Sequence, residues 1–183
     1  MKNTRTLQSL HDEIKGCTKC PLHETRNNAV PGEGPVDAKV MFVGEAPGAK
    51  EDETGRPFVG RSGQILIKLI EDIGLSREEV FITSILKSRP PKNRTPKRLE
   101  KEACLPYLEK QIELVNPKVI VLLGGVAIST LIGPWKLSEA HGCFYDGNGR
   151  TYFMTYHPAA ALRFPKFKDV MKHDFSILKK KLS

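Results

Sequence analysis

No apolar run in the sequence approaches the roughly 18–20 residues that a membrane-spanning helix needs. The opening stretch MKNTRTLQSLHDEIKG lacks the apolar core of a secretory signal. Membrane insertion and secretion are therefore not expected, and a cytoplasmic setting is. Cysteine is scarce: four residues, Cys17, Cys20, Cys104 and Cys143, in a chain of 183. In a chain read as intracellular, that number points away from a disulfide framework. Neither a GxGxxG fingerprint nor a Walker lysine is present, which disfavours an ordinary dinucleotide or nucleoside-triphosphate site. Internal repeats and low-complexity segments are also missing. Acid is outweighed by base, 21 Asp and Glu against 29 Lys and Arg, and the formal charge of +8 favours a polyanionic partner.

What is there has globular composition, 39% hydrophobic and 27% charged, and is long enough to bury a core as one domain spanning 1–183. Apolar runs at Lys39–Val43, Val80–Thr83, Val119–Leu123 and Tyr152–Thr155 predict four buried strands. Helices are expected over Thr6–Ile14, around Ile65 to Ile73, and over Leu99–Leu114, Val126–Ile132 and Lys166–Leu182. Almost wholly apolar strands alternating with helices imply an α/β fold whose parallel sheet is covered on both faces. The segment before residue 39 is rich in turn formers and poor in apolar residues, so something must pin it down; a metal site would do so.

In such folds ligands bind where loops leave the carboxyl ends of the strands. The unusual residues concentrate there. Gly44-Glu45-Ala46-Pro47-Gly48 follows the first strand, and its turn can aim backbone N–H groups at an anion or carbonyl. Residues 51–63, EDETGRPFVGRSG, read as a shaped loop because of their glycines and proline. Within it Phe58 offers either a face for stacking a base or an anchor on the core. Lys87 to Lys101 carries seven basic residues (Lys87, Arg89, Lys92, Arg94, Lys97, Arg98, Lys101) against Glu100 alone, and Pro90-Pro91 hold part of it extended. Such a stiff basic loop suits phosphates. His157, fixed by Pro158, can donate to a developing anion. The small residues Ala159–Ala161 suit close approach to a backbone, and Leu162, beside Arg163, is a candidate wedge in a base stack. The pair Cys17-x-x-Cys20 is compatible with half of a metal or iron–sulfur site, with a redox pair, or with buried small hydrophobes.

Taken together these segments resemble the family 4 uracil-DNA glycosylases, the iron–sulfur branch of their superfamily. The resemblance rests on Cys17-x-x-Cys20, GEAPG at 44–48, EDETGRPFVGRSG at 51–63, RPPKNRTP at 89–96, Cys104 with Pro106, and HPAA at 157–160, in the family's order and spacing. It implies a three-layer α/β/α domain with a central, mostly parallel four-stranded sheet that removes uracil from DNA. A structural [4Fe–4S] cluster would be held by Cys17, Cys20, Cys104 and a fourth ligand at position 88. By resemblance Gly44, Glu45, Ala46 and Gly48 line the uracil pocket, Glu51 lies over it, Phe58 stacks on the base and His157 faces the pyrimidine O2. Asn93 matches a polar position tied to catalysis, and Arg89, Lys92, Arg94, Leu162 and Arg163 are expected to meet DNA. A monomer acting on DNA that contains uracil or other deaminated bases is implied. Either Glu45 or Glu51 can orient water or stabilise the sugar cation.

Two positions depart from the family's pattern. Ser84 stands where relatives usually carry the asparagine that reads uracil, and a hydroxyl cannot make an amide's paired contacts. Relaxed or weakened base selectivity is the expectation. Ser88 stands at the usual third cysteine, leaving three thiols for a cluster that ordinarily takes four. Serine as a ligand, Cys143 as a substitute, a three-iron cluster or none are all open from sequence. The alternatives to a glycosylase are a module that holds damaged DNA without turnover and a generic doubly wound nucleotide-binding enzyme.

Overall fold

A computed structural model describes residues 6–183. Five strands, β1 (Val40–Gly44), β2 (Phe81–Ser84), β3 (Val119–Leu123), β4 (Phe144–Gly147) and β5 (Arg150–Thr155), form one sheet in the order β2-β1-β3-β5-β4. Every neighbouring pair is parallel except the β4–β5 hairpin. Four strands are expected from the sequence; the fifth, β4, is an edge strand of Phe-Tyr-Asp-Gly that is only partly covered and so carries no apolar run to announce it.

Successive side chains of a strand point to opposite faces, and here both faces are buried. Val40, Phe42, Val119, Val121, Leu123 and Phe153 enter one core with Leu66, Leu69, Ile70, Met171, Phe175 and Leu178. Met41, Val43, Phe81, Ile120, Leu122, Tyr152 and Met154 enter the other with Cys104, Leu108, Ile112, Val115 and Ile128. The first core is roofed by α3 (Arg61–Asp72), α7 (Pro158–Arg163) and α8 (Lys166–Leu182), the second by α4 (Arg98–Val115) and α5 (Gly125–Leu131). The result is the three-layer α/β/α arrangement. α1 (Leu7–Lys15) lies outside α4, where Leu10 and Ile14 pack with Ala29 and Tyr107. Thr6 caps it, its hydroxyl accepting from the Ser9 N–H at 3.1 Å.

Two local expectations are corrected. Residues 51–63 are not one loop: α2 spans Ala49–Thr54 and α3 begins at Arg61, leaving only 55–60 irregular. The glycines read as loop formers are helix punctuation, Gly48 and Gly60 at N-caps and Gly55 a left-handed C-cap with φ of 72°. Nor are all seven basic residues of the stretch from Lys87 to Lys101 free to meet phosphates. Lys87 is wholly buried, its ammonium donating to Thr83 Oγ1 (2.6 Å), the Ser84 carbonyl (2.8 Å) and Gln111 Oε1 (2.7 Å), and burial pushes its pKa down to about 7. Arg94 pairs with Glu100 and Arg98 with Glu102.

The N-terminal segment, expected to need a metal to pin it, is held both by its few apolar side chains, Leu10, Ile14, Leu22, Ala29 and Val30, all buried, and by hydrogen bonds. The buried Asp52 carboxylate accepts from the Asn27 N–H (2.9 Å) and its side-chain amide (2.8 Å). The Val30 N–H donates to the Lys87 carbonyl (2.7 Å), Gln111 Nε2 donates to the Pro31 carbonyl (2.7 Å), and Glu33 bridges Ile82 on the outer edge of β2.

Candidate active site

A cleft of about 560 Å³ opens at the carboxyl ends of β1, β2 and β5. Its walls bring together Glu45, Ala46, Gly48, Glu51, Phe58, Ser84, Asn93, Arg94, His157 and Arg163, residues scattered over 119 positions of sequence. Gly44 lies beneath them. A Cβ there would sit 2.6 Å from Phe58 Cζ and 3.2 Å from Ser84 Oγ, so only glycine lets the ring lie against the strand end. Arg89, Lys92 and Leu162 are not in the walls. Arg89 Nε donates to Asn93 Oδ1 (2.7 Å), Lys92 is exposed, and Leu162 faces a neighbouring groove with Arg61, Lys68, Lys168 and Lys172. Pro47, Ser62 and Thr95, which fall within the motifs without a role of their own, also line the cleft, as do Phe164 and Phe167, which lie outside every motif. Phe164, 56% exposed, is the one whose setting between Arg163 and Pro165 could have marked it.

The two glutamates separate clearly. Glu51 is buried, and its carboxylate accepts from the N–H groups of Gly48 (3.1 Å), Val59 (2.8 Å) and Gly60 (2.8 Å). It ties the first turn to the 55–60 loop, and it consumes the Gly48 amide that the turn was expected to aim at a ligand. The Ala46 N–H remains without a partner among the described residues. Glu45 is half-buried in the cleft and its carboxylate accepts no hydrogen bond among the described residues; burial raises its pKa, opposed weakly by Lys101.

His157 caps α7. Its Nδ1 accepts from the Ala159 N–H at 3.1 Å, which leaves the proton of the neutral ring on Nε2. Burial holds the ring neutral by lowering its pKa to about 4, against a smaller opposing pull from Glu51. A neutral N–H donor fixed in one tautomer is therefore presented beside Phe58, whose ring centroid lies 5.6 Å away at 31°. Phe58 itself has φ of 49°, a left-handed conformation that costs a non-glycine residue on the order of 1–3 kcal/mol. It persists because its surroundings hold it, including Gly63, where a Cβ would stand 2.0 Å from the Phe58 carbonyl oxygen. Ser84, 6% exposed, offers its hydroxyl to the cleft from the end of β2.

The cluster implied by the resemblance does not fit the donors as they stand. The Cys17 thiol receives the Lys19 N–H at 3.5 Å, and Cys20 and Cys104 receive those of Leu22 and Lys87. The three thiols lie near enough for each charge to bear on the others. The fourth position is a hydroxyl already engaged: Ser88 Oγ accepts from Arg26 Nη1 at 2.9 Å, placing a cation where an anionic ligand would be needed. Among the described residues no group of three or more His, Cys, Asp and Glu side chains closes tightly enough to hold a metal ion. Cys143 cannot complete the set. It precedes β4 at one edge of the sheet while Ser88 follows β2 at the other, four strand spacings or roughly 19 Å apart.

Residues 31–179 match the family model described as the uracil DNA glycosylase superfamily. The chain is 49% identical to the type-4 uracil-DNA glycosylase of Pyrobaculum aerophilum, over 93% of this chain and 92% of that one. It is 46% identical to the type-4 enzyme of Saccharolobus solfataricus (97% and 87%) and 43% identical to that of Sulfurisphaera tokodaii (93% and 82%). A cleft at the sheet's carboxyl edge, an aromatic face beside a neutral histidine donor and this degree of likeness lead to one assignment: the chain belongs to the uracil-DNA glycosylase superfamily, in its type-4 group.

Proposed function

We propose that this chain hydrolyses the N-glycosidic bond of uracil in DNA, leaving an abasic site, with the chemistry carried out in the cleft by its own side chains. The carrying observation is the convergence of Phe58, the neutral Nε2–H of His157, the unpaired Glu45 carboxylate and Ser84 in one hollow. A base inside a duplex cannot be reached there, so the nucleotide is swung out, at a few kcal/mol for unstacking. The flipped base stacks on Phe58. As the bond to the sugar breaks, negative charge gathers on the base and positive charge on the sugar. His157 Nε2–H donates to the O2 of the departing base, and the Ala46 N–H, in the turn after β1, is a second donor in the same cleft. Glu45, ionised, orients water toward the sugar carbon and stabilises its positive charge. Glu51, both oxygens engaged by backbone amides, holds the walls rather than water.

Arg163 in the cleft wall and Arg89 and Lys92 beside it take phosphates, while Leu162 and Phe164, 41% and 56% exposed, fill the gap left by the flipped nucleotide. Asn93 stands at the mouth, its side-chain oxygen occupied by Arg89, and acts on the sugar-phosphate rather than on the base. No step needs the iron–sulfur cluster. Ser84 cannot make the two simultaneous contacts of an amide, so selectivity for uracil is relaxed and hypoxanthine or xanthine is also removed, more slowly.

The test is excision from a panel of uracil, hypoxanthine and xanthine oligonucleotides, with binding measured in parallel. Release of uracil with slower release of another base is the expected result. Binding without release of any base would overturn the glycosylase reading, and release of uracil alone at full rate would overturn the relaxed selectivity.

A further inference from the structure

Phe58 can serve as a stacking face only if its backbone is held in a conformation it does not prefer, and the holding is done from behind the cleft. Arg77 lies at the start of the short turn Arg77–Glu79 that leads into β2, with only 14% of its side chain exposed. Its guanidinium makes three directed contacts. Nη1 donates to the Phe58 carbonyl (3.0 Å), Nη2 donates to the Pro57 carbonyl, and Nε donates to Glu33 Oε1 (3.2 Å). Glu33 is anchored in turn by its backbone bridge to Ile82 and by the fork of Arg56, at 2.7 and 2.8 Å. The amides that follow Phe58, those of Val59 and Gly60, are held by Glu51. The loop is thus gripped at its carbonyls by Arg77 and at its amides by Glu51, with Phe58 between the two grips.

We propose that Arg77 is a positioning residue for base capture: acting through the backbone of Pro57 and Phe58, it sets the plane on which the flipped base stacks. The inference rests on the reading of Phe58 as the stacking face. Arg77 takes no part in the cleft wall; it lines the opposite side of the loop, with Gln64, Ile67 and Glu71. The planar fork is required because two neighbouring carbonyls and a carboxylate are bound from one centre, which a lysine's single ammonium on a flexible stem cannot reproduce. The ring has little slack to lose, since its Cζ–Cε2 edge lies against Gly44 and His157 stands beside it.

The test is a double-mutant cycle on kcat and KM for a uracil-containing duplex, with melting temperatures recorded for each protein. Arg77→Gln is expected to lower kcat/KM about 10-fold or more, chiefly through KM, with Arg77→Lys falling between it and the parent. In a Phe58→Ala background, Arg77→Gln should cost less than about 2-fold further, because the ring through which it acts is gone. An equal loss in both backgrounds, or a lowered melting temperature with unchanged kcat and KM, would overturn the positioning role. If Phe58→Ala alone leaves kcat/KM unchanged, it is the stacking reading that fails, and the inference about Arg77 falls with it. Should Arg77→Gln not fold, Glu33→Gln loosens the same grip from its far side, and the same cycle with Phe58→Ala decides.

Discussion

His157 shows how much of a residue's chemistry is set by one backbone contact. The Ala159 N–H occupies Nδ1, so the imidazole has a single donor, on Nε2, and burial keeps it neutral down to about pH 4. A neutral donor strengthens its hydrogen bond as the base becomes anionic without placing a fixed charge in the cleft. His157→Ala is expected to reduce kcat by about 10²–10³, the loss typical of one anion-stabilising donor, and to lower the melting temperature as well, since the cap of α7 goes with the ring, at about 1 kcal/mol; a kcat loss under 3-fold would remove His157 from the chemistry. Glu45 gives the acid limb. Its carboxyl is raised by burial, so the ionised form is lost at a pH above that of a free carboxyl as the solution is acidified. The rate should fall with decreasing pH through that raised value. Glu45→Gln should show a low rate with no such limb, and a limb that survives the substitution would assign it elsewhere.

At the scale of elements, the caps and loops carry the site, and here the sequence was legible only in part. The strands announced themselves through apolar runs and the long helices through periodicity, because both faces of the sheet are buried. The helices α2 and α7 did not, being six residues each and opened by Gly48 and His157, residues read as loop and site. GEAPG, Phe58 and HPAA stand out in the sequence as candidates because chemistry restricts their types, and the fold brings them to one cleft. Which glutamate is free, and the grip of Arg77, were not legible, since both depend on contacts between segments distant in sequence. Gly63→Ala separates propensity from packing. Alanine gains roughly 0.5–1 kcal/mol in a helix interior, yet its Cβ would meet the Phe58 carbonyl at 2.0 Å. Packing should win, with a lower melting temperature and weakened kcat/KM; a stabilised, fully active variant would contradict the close crossing. Arg26 and Ser88 pose a second question at this scale. Ser88→Cys should raise the iron bound per chain and its visible absorbance, and iron content equal to that of the parent would show that the hydroxyl is not what breaks the donor set.

For the whole molecule, charge and pH act on binding and stability together. The excess of 29 basic over 21 acidic side chains favours DNA, but some of that charge is spent internally, as in Arg94–Glu100. Arg163, in the cleft wall, makes no such ion pair among the described residues. Replacing it with alanine should flatten the salt dependence of DNA binding by about one unit of the log–log slope, with no loss of stability. Two histidines, His11 and His157, have pKa values lowered to about 4 by burial. Between pH 6.5 and 4 the unfolded chain takes up protons that the folded chain refuses, so stability is full above that window and falls through it. Urea unfolding at a series of pH values should show the decline, and His11→Gln should make it shallower.

The central claim is that one hollow at the carboxyl edge of the sheet receives a base turned out of its helix and carries the charge as it leaves. A crystal structure with a duplex whose uracil sits on a 2′-fluorinated, hydrolysis-resistant sugar tests this most directly. Uracil is expected stacked on Phe58, its O2 about 2.9 Å from His157 Nε2, with Glu45 on the sugar side. Uracil seated outside the cleft, or inside it with O2 turned away from His157, would contradict that claim.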